Sequence, residues 1–159
     1  MKLYLVQHGQ AYSKDLHPDR PLTDQGKEDV DRLAAFLKQA GIHVDRVIHS
    51  GKLRAIQTAE RLAKAIAPEA ELEASRVINP NDHPTTFDRK SESWNRDTLV
   101  VGHMPFMSKL VSYLVVEDEN RLLITYQPGS IVCLERDSKA YWQVNWMIRP
   151  ELLKRKRFS

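Results

Sequence analysis

Leu3-Tyr4-Leu5-Val6-Gln7-His8-Gly9 is the stretch on which the fold turns. Four apolar residues in a row, without polar alternation, predict a strand covered on both faces, as in a parallel sheet. A histidine directly after such a strand lies where open α/β sheets bind ligands, in the crevice beyond the carboxyl ends of the strands. Two further stretches repeat the arrangement. Arg46-Val47-Ile48-His49-Ser50 runs into Gly51-Lys52-Leu53-Arg54, and Thr98-Leu99-Val100-Val101 runs into Gly102-His103. The three sheet ends are therefore expected to bring His8, Arg54 and His103 to one place.

Helical patterns lie between these strands. From Asp24 to Ala40, Val30, Leu33, Ala34 and Leu37 recur at the 3.6-residue period, with Thr23 as N-cap and Gly41 just past the end. A second helix is predicted over Lys52 to Ile66, with Leu53, Ile56, Leu62, Ala63 and Ile66 facing inward and Pro68 beyond its end. A polar, irregular stretch from Pro80 to Asn95 carries at most a short helix, Thr85 to Ser93. A third long helix, Pro105 to Val115, packs Phe106, Leu110, Val111 and Leu114 on the sheet. Residues 129–135 and 141–148, around Arg136-Asp137-Ser138-Lys139, then predict a closing antiparallel hairpin. The expected fold class is α/β: a three-layer α/β/α sandwich with a mostly parallel sheet and an antiparallel C-terminal edge.

The 159 residues suit one domain that buries roughly 70% of its unfolded surface, so neither disulfides nor a structural metal are needed. That domain is expected over 1–150, with 151–159 as a basic, solvated C-terminal tail. The formal charge of +3 comes from 24 basic and 21 acidic residues, yet Lys154, Arg155, Lys156 and Arg157 all lie near the end; without them the count is 20 against 21. A charge excess confined to a tail argues against a nucleic-acid partner, which needs a basic stripe on the folded surface. No apolar run reaches the 18 residues of a membrane span, and four apolar residues before Gln7 are too few for a signal peptide. A cytoplasmic location is expected, with the lone Cys133 as a small core thiol.

Arg54 and His103 offer hydrogen-bond donors and positive charge, and His8 offers an imidazole nitrogen. Together they suit attack on a phosphoryl group, with transfer to His8. Two predicted helix starts, Ser50 to Arg54 and His103-Met104-Pro105, point backbone N–H groups at an anion, and Pro105 fits a first helical turn. Gly102 allows a close approach. His17, His43, His49 and His83 are scattered without paired spacing, so no metal site is expected.

Gln7-His8-Gly9, Pro21-Leu22-Thr23 with Gly26, Ser50-Gly51-Lys52-Leu53-Arg54-Ala55 with Gln57-Thr58, and Val101-Gly102-His103-Met104-Pro105 occur in the order shown by the histidine phosphatase superfamily, which the chain resembles from Met1 to Ile148. Its short length and lack of a large helical insertion look most like the SixA-type phosphohistidine phosphatases. The resemblance implies a phosphoglycerate mutase-like fold and a His8 nucleophile that becomes phosphohistidine and is later hydrolysed. It also implies phosphate binding by Arg54 and His103, and no cofactor. The SixA type resembles its larger relatives without their acidic proton donor, and Asp82 is the best candidate for a general acid here. Gln7, Ser50 and Thr58 are candidate substrate contacts, although a capping hydroxyl for Ser50 and a helix-surface hydroxyl for Thr58 fit equally well.

One position departs from the family pattern. The residue before the nucleophile is normally an arginine that grips phosphate, and here it is Gln7. Exchanging a charged for a neutral donor is expected to cost about 1–2 kcal/mol, on the order of tenfold in rate. It is also expected to leave more of His8 protonated near neutral pH, because a nearby cation is missing. Lys52 and Lys14 are candidates to restore that charge, while the Tyr12 to Arg20 loop reads as a plain polar connection. The expected activity is a slow phosphatase acting on a phosphorylated protein, such as a histidine phosphotransfer domain or carrier. The alternatives are a phosphate-binding regulatory module without catalysis and a small-molecule phosphomonoesterase.

Overall fold

The computed structural model describes residues 1–154. In chain order it contains β1 (Lys2–Gln7), α1 (Asp24–Gln39), β2 (Arg46–His49), α2 (Leu53–Ile66), β3 (Leu72–Ala74), α3 (Pro84–Ser91), β4 (Thr98–Gly102), α4 (Phe106–Val116), β5 (Ile131–Arg136) and β6 (Trp142–Ile148), then a 3-10 turn at Pro150–Leu153. The six strands form one sheet in the order β3-β2-β4-β1-β5-β6. β1, β2, β3 and β4 run parallel, whereas β5 is antiparallel to both β1 and β6. The layered fold and its antiparallel C-terminal edge are those expected from the sequence.

Alternation along the buried strands assigns each side chain to a layer. Tyr4 and Val6 of β1, Val47 of β2 and Leu99 and Val101 of β4 join Val30, Leu33, Leu37, Ala59 and Leu62 of α1 and α2 in one core. Leu3, Leu5, Ile48 and Val100 join Phe87 of α3 and Phe106, Leu110 and Val111 of α4 in the other. β1 and β4 lie side by side in the middle with every residue from Leu3 and Thr98 onward buried, which places their carboxyl ends, His8 and His103, next to each other.

Local chemistry explains the helix starts. Thr23 caps α1, its hydroxyl accepting the Gly26 N–H at 3.0 Å, and all four residues expected on the inner face of α1 are buried. The inner face of α2 differs from the sequence expectation. Leu53 is exposed and Ile56 only half-buried, while Ala55, Thr58, Ala59, Leu62, Ala63 and Ile66 are buried. Small residues, rather than the largest apolar ones, face inward because α2 packs closely on α1 and the sheet. α3 begins one residue earlier than expected, and Pro105 is the N-cap of α4 instead of its first helical residue, after a cis Met104–Pro105 bond.

β3 was not expected. It is a three-residue edge strand whose Leu72 alone turns toward the core, so its sequence carries almost no apolar signal; Glu73 on it pairs with Arg46 of β2 at 3.0 Å. Cys133 is a fully buried free thiol whose pKa burial raises to about 11, a packing residue as expected. Trp142 is buried, and Trp94 and Trp146 pack against the two cores. At the C-terminal end Leu153 also packs against the α1/α2 core, and residues 155–159 of the expected tail lie outside the described residues. Among the described residues no helix is long and apolar enough to cross a membrane.

Candidate active site

His8 and His103 lie with ring centroids 5.0 Å apart, and both are buried. The His8 ring is held by its Nδ1, 2.7 Å from the carbonyl oxygen of Gly9. A carbonyl only accepts, so Nδ1 carries the proton and Nε2 keeps its lone pair. Burial, first of all, pushes the His8 pKa down to about 4; the Gly9 carbonyl opposes this, while the charges of Arg54 and Arg20 add to it. His8 is therefore a neutral imidazole at pH 7. This overturns the expectation that Gln7 leaves His8 partly protonated near neutrality, because desolvation rather than cation count dominates.

His103 is driven lower still, to about 3, by burial and then by His8, Arg54, Lys52 and Arg20. Its Nε2 lies 2.5 Å from the Ser50 hydroxyl, and its Nδ1 is buried without a partner. Ser50 also takes a long contact from the Lys52 N–H at 3.4 Å, so this hydroxyl bridges the start of α2 and the histidine. Arg54, in the first turn of α2, has a buried Nε without a partner, and burial lowers the pKa of its guanidinium, with Arg20 next. Gln7 is 8% exposed, and its side-chain oxygen too is unpartnered. Buried polar atoms are nearly always satisfied. Unpartnered atoms on Gln7, Arg54 and His103, each at or just beyond the carboxyl end of a neighbouring strand, mark a place built for a polar guest.

α2 holds this arrangement together from one face. Thr58 donates its hydroxyl to the Arg54 carbonyl at 2.8 Å and accepts the Gly9 N–H at 3.0 Å, and it is fully buried. It is a brace between α2 and the His8 loop, neither a surface hydroxyl nor a free donor. One position earlier, the Gln57 side chain accepts the Leu22 N–H at 2.8 Å. Gly9 and Gly26 permit the close approach: a Cβ on Gly26 would lie 2.1 Å from the Gln10 carbonyl oxygen, and one on Gly9 2.8 Å from Val30. Gly102 is small for a different reason than expected. A Cβ there would meet Met107 of α4 at 2.7 Å, so packing of protein on protein, not ligand approach, requires it.

Other candidates fall elsewhere. Asp82 is engaged in a turn, its carboxylate accepting the Asn79 N–H at 2.8 Å. His49 accepts the Gly51 N–H on Nδ1 at 3.0 Å and braces the β2–α2 turn. Among the described residues no group of three His, Cys, Asp or Glu is placed to hold a metal. Arg20 was passed over in the sequence as part of a polar connection. Its position directly before Pro21-Leu22-Thr23, and a left-handed φ of 49°, mark it as deliberately placed.

Comparison with known proteins agrees with this geometry. The family model described as histidine phosphatase superfamily (branch 1) matches residues 3–75. An uncharacterized protein of Picosynechococcus sp. is 34% identical over 115 residues, covering 66% of this chain and 67% of that one. Phosphohistidine phosphatase SixA of Escherichia coli is 25% identical over 160 residues, 97% of each chain. A solved structure of the protein histidine phosphatase SixA complexed with tungstate superposes with a TM-score of 0.83 at 23% identity, covering 97% of this chain and all of that one. Motif order, sheet topology and matching relatives agree: the chain is a phosphatase of the histidine phosphatase superfamily.

Proposed function

We propose that the chain hydrolyses phosphohistidine on a protein, with His8 as the nucleophile. The observation that carries this reading is the His8 ring itself, buried, neutral and fixed by Gly9 with Nε2 bare. Nε2 attacks phosphorus, a new P–N bond forms, and the P–N bond of the substrate breaks. The departing imidazole takes that electron pair and leaves neutral, its other nitrogen already protonated, so no strong general acid is needed. The phosphorylated His8 ring now carries positive charge, which the Gly9 carbonyl stabilises at Nδ1–H. Water then attacks phosphorus, the His8 P–N bond breaks, His8 returns neutral, and the water proton leaves with the phosphate or to solvent.

The surrounding groups fit the charge that develops. Arg54 supplies a fixed positive charge. Ser50 donates its hydroxyl proton to His103 Nε2, which leaves Nδ1 protonated and available to a phosphate oxygen. The Gln7 amide can turn its NH2 group to the position of its unpartnered oxygen and donate to the same anion. The SixA relative in Escherichia coli is named a phosphohistidine phosphatase, and the absence of a large helical insertion among residues 1–154 leaves the nucleophile reachable by a protein-borne imidazole. A cytoplasmic histidine phosphotransfer domain or carrier is the substrate class that fits.

Turnover of a phosphohistidine-bearing protein set against turnover of sugar phosphates tests the proposal. We expect kcat/KM for the phosphoprotein to exceed that for the small esters; the reverse order would assign the chain to small-molecule phosphomonoesterases. Binding of both without turnover would make it a regulatory phosphate-binding module.

A further inference from the structure

The loop that follows His8-Gly9 is closed on itself. Ala11 and Leu22 form an antiparallel bridge, the Tyr12 N–H donates to the Pro21 carbonyl at 2.9 Å, and the Thr23 N–H donates to the Gln10 carbonyl at 3.0 Å. Its base is tied to α2 by Leu22 and Gln57, and Leu22 itself is 2% exposed. At the end of the loop sits Arg20, half-buried, with φ of 49°. Its backbone N–H donates to the His17 carbonyl at 2.9 Å and its Nε to the Tyr12 carbonyl at 2.9 Å. One edge of the guanidinium is thus fixed while its two terminal nitrogens stay uncommitted. A left-handed backbone at a long, branched-free cation is unfavourable, and it persists where surrounding structure imposes it.

The loop carries this guanidinium to the mouth of the His8 pocket. Its charge is felt at His8, Arg54 and His103 alike, the three groups that surround the unpartnered atoms described above. Asp15 and Asp19 lie on the same loop, yet both are exposed and Arg20 forms a salt bridge with neither. A cation held beside two other depressed cationic or basic groups, with no carboxylate to neutralise it, is a group waiting for an anion.

We propose that Arg20 is the second guanidinium of the phosphate site and supplies from the loop the positive charge that Gln7 does not bring on β1. The inference rests on the phosphate-transfer reading above and adds to it a binding residue and an explanation of how the site tolerates glutamine at position 7. Tungstate, a tetrahedral dianion, serves as probe, with calorimetric titration of the wild type, Arg20→Gln, Arg54→Gln and the double variant Gln7→Arg/Arg20→Gln, each checked by its urea midpoint. We expect Arg20→Gln to weaken tungstate by about tenfold or more, and Gln7→Arg in the same chain to restore most of it.

Restoration is the decisive arm, since a merely structural role of Arg20 in holding Tyr12 would not be repaired by a charge on β1. Wild-type affinity in Arg20→Gln, with Arg54→Gln weakened, would overturn the role of Arg20 and leave the phosphate site standing. Weakening without restoration would make Arg20 a loop strut and likewise overturn the proposal. A wild type that binds no tungstate would overturn this inference and the functional reading together.

Discussion

Acidification is the perturbation whose effect follows most directly from the buried histidines. An unfolded chain protonates histidine near pH 6.5, whereas folded His8 resists protonation until about pH 4. Between those values the unfolded state binds more protons than the folded state, so stability is fully present above pH 6.5 and falls as pH drops toward 4. At pH 5 this linkage amounts to about 2 kcal/mol for His8, whose ring is 8% exposed and little screened. His103 acts in the same direction, its pKa lying near 3. Against a total stability of about 5–15 kcal/mol for an ordinary domain, the loss is large. Urea unfolding of the wild type and of His8→Gln at pH 7.5 and 5 isolates the contribution. The wild type should lose about 2 kcal/mol more than the variant over that interval. Parallel losses in the two proteins would mean that His8 is not held neutral by burial, and the argument for a ready nucleophile would fail with it.

Other expected outcomes concern single side chains. Ser50→Ala removes the hydroxyl on His103 Nε2 and should lower kcat by about tenfold with little change in urea midpoint; imidazole nitrogen chemical shifts should show the His103 tautomer no longer fixed. Thr58→Val keeps the shape of the brace but orphans the buried Gly9 N–H, and should destabilise the fold by about 1–3 kcal/mol in urea titration. Gln7→Arg in the otherwise unchanged chain should raise turnover, by less than the roughly tenfold of an uncompensated charge loss because Arg20 already contributes; an unchanged or lower rate in a folded variant would count against the electrostatic account.

The sequence carried the parts of the fold that depend on pattern. The apolar runs of β1 and β4 located His8 and His103 at adjacent strand ends, and the regular stripe of α1 was legible from Val30 to Leu37. It misled where close packing favours small side chains: α2 turns Ala55 and Ala59 inward and leaves Leu53 in solvent, because proximity to α1 outweighs side-chain size. β3 was invisible since an edge strand of three residues needs only one apolar side chain. At the site, the histidines and Arg54 could be named from their motifs, but their protonation could not, since desolvation depends on what the rest of the chain stacks over them. Arg20 was hidden for the same reason. Its relation to His8 exists only once the loop has closed between Ala11 and Leu22 and Gln57 has tied it down.

The central claim is covalent, and one trapping measurement addresses it. The protein is mixed with a phosphohistidine-bearing protein labelled on the phosphoryl group, denatured within its first turnover under alkaline conditions where a phosphoimidazole survives, and mapped by peptide. The account predicts label on the peptide containing His8 and none in His8→Ala. Turnover with label on another residue, or His8→Ala as active as the wild type, would contradict it.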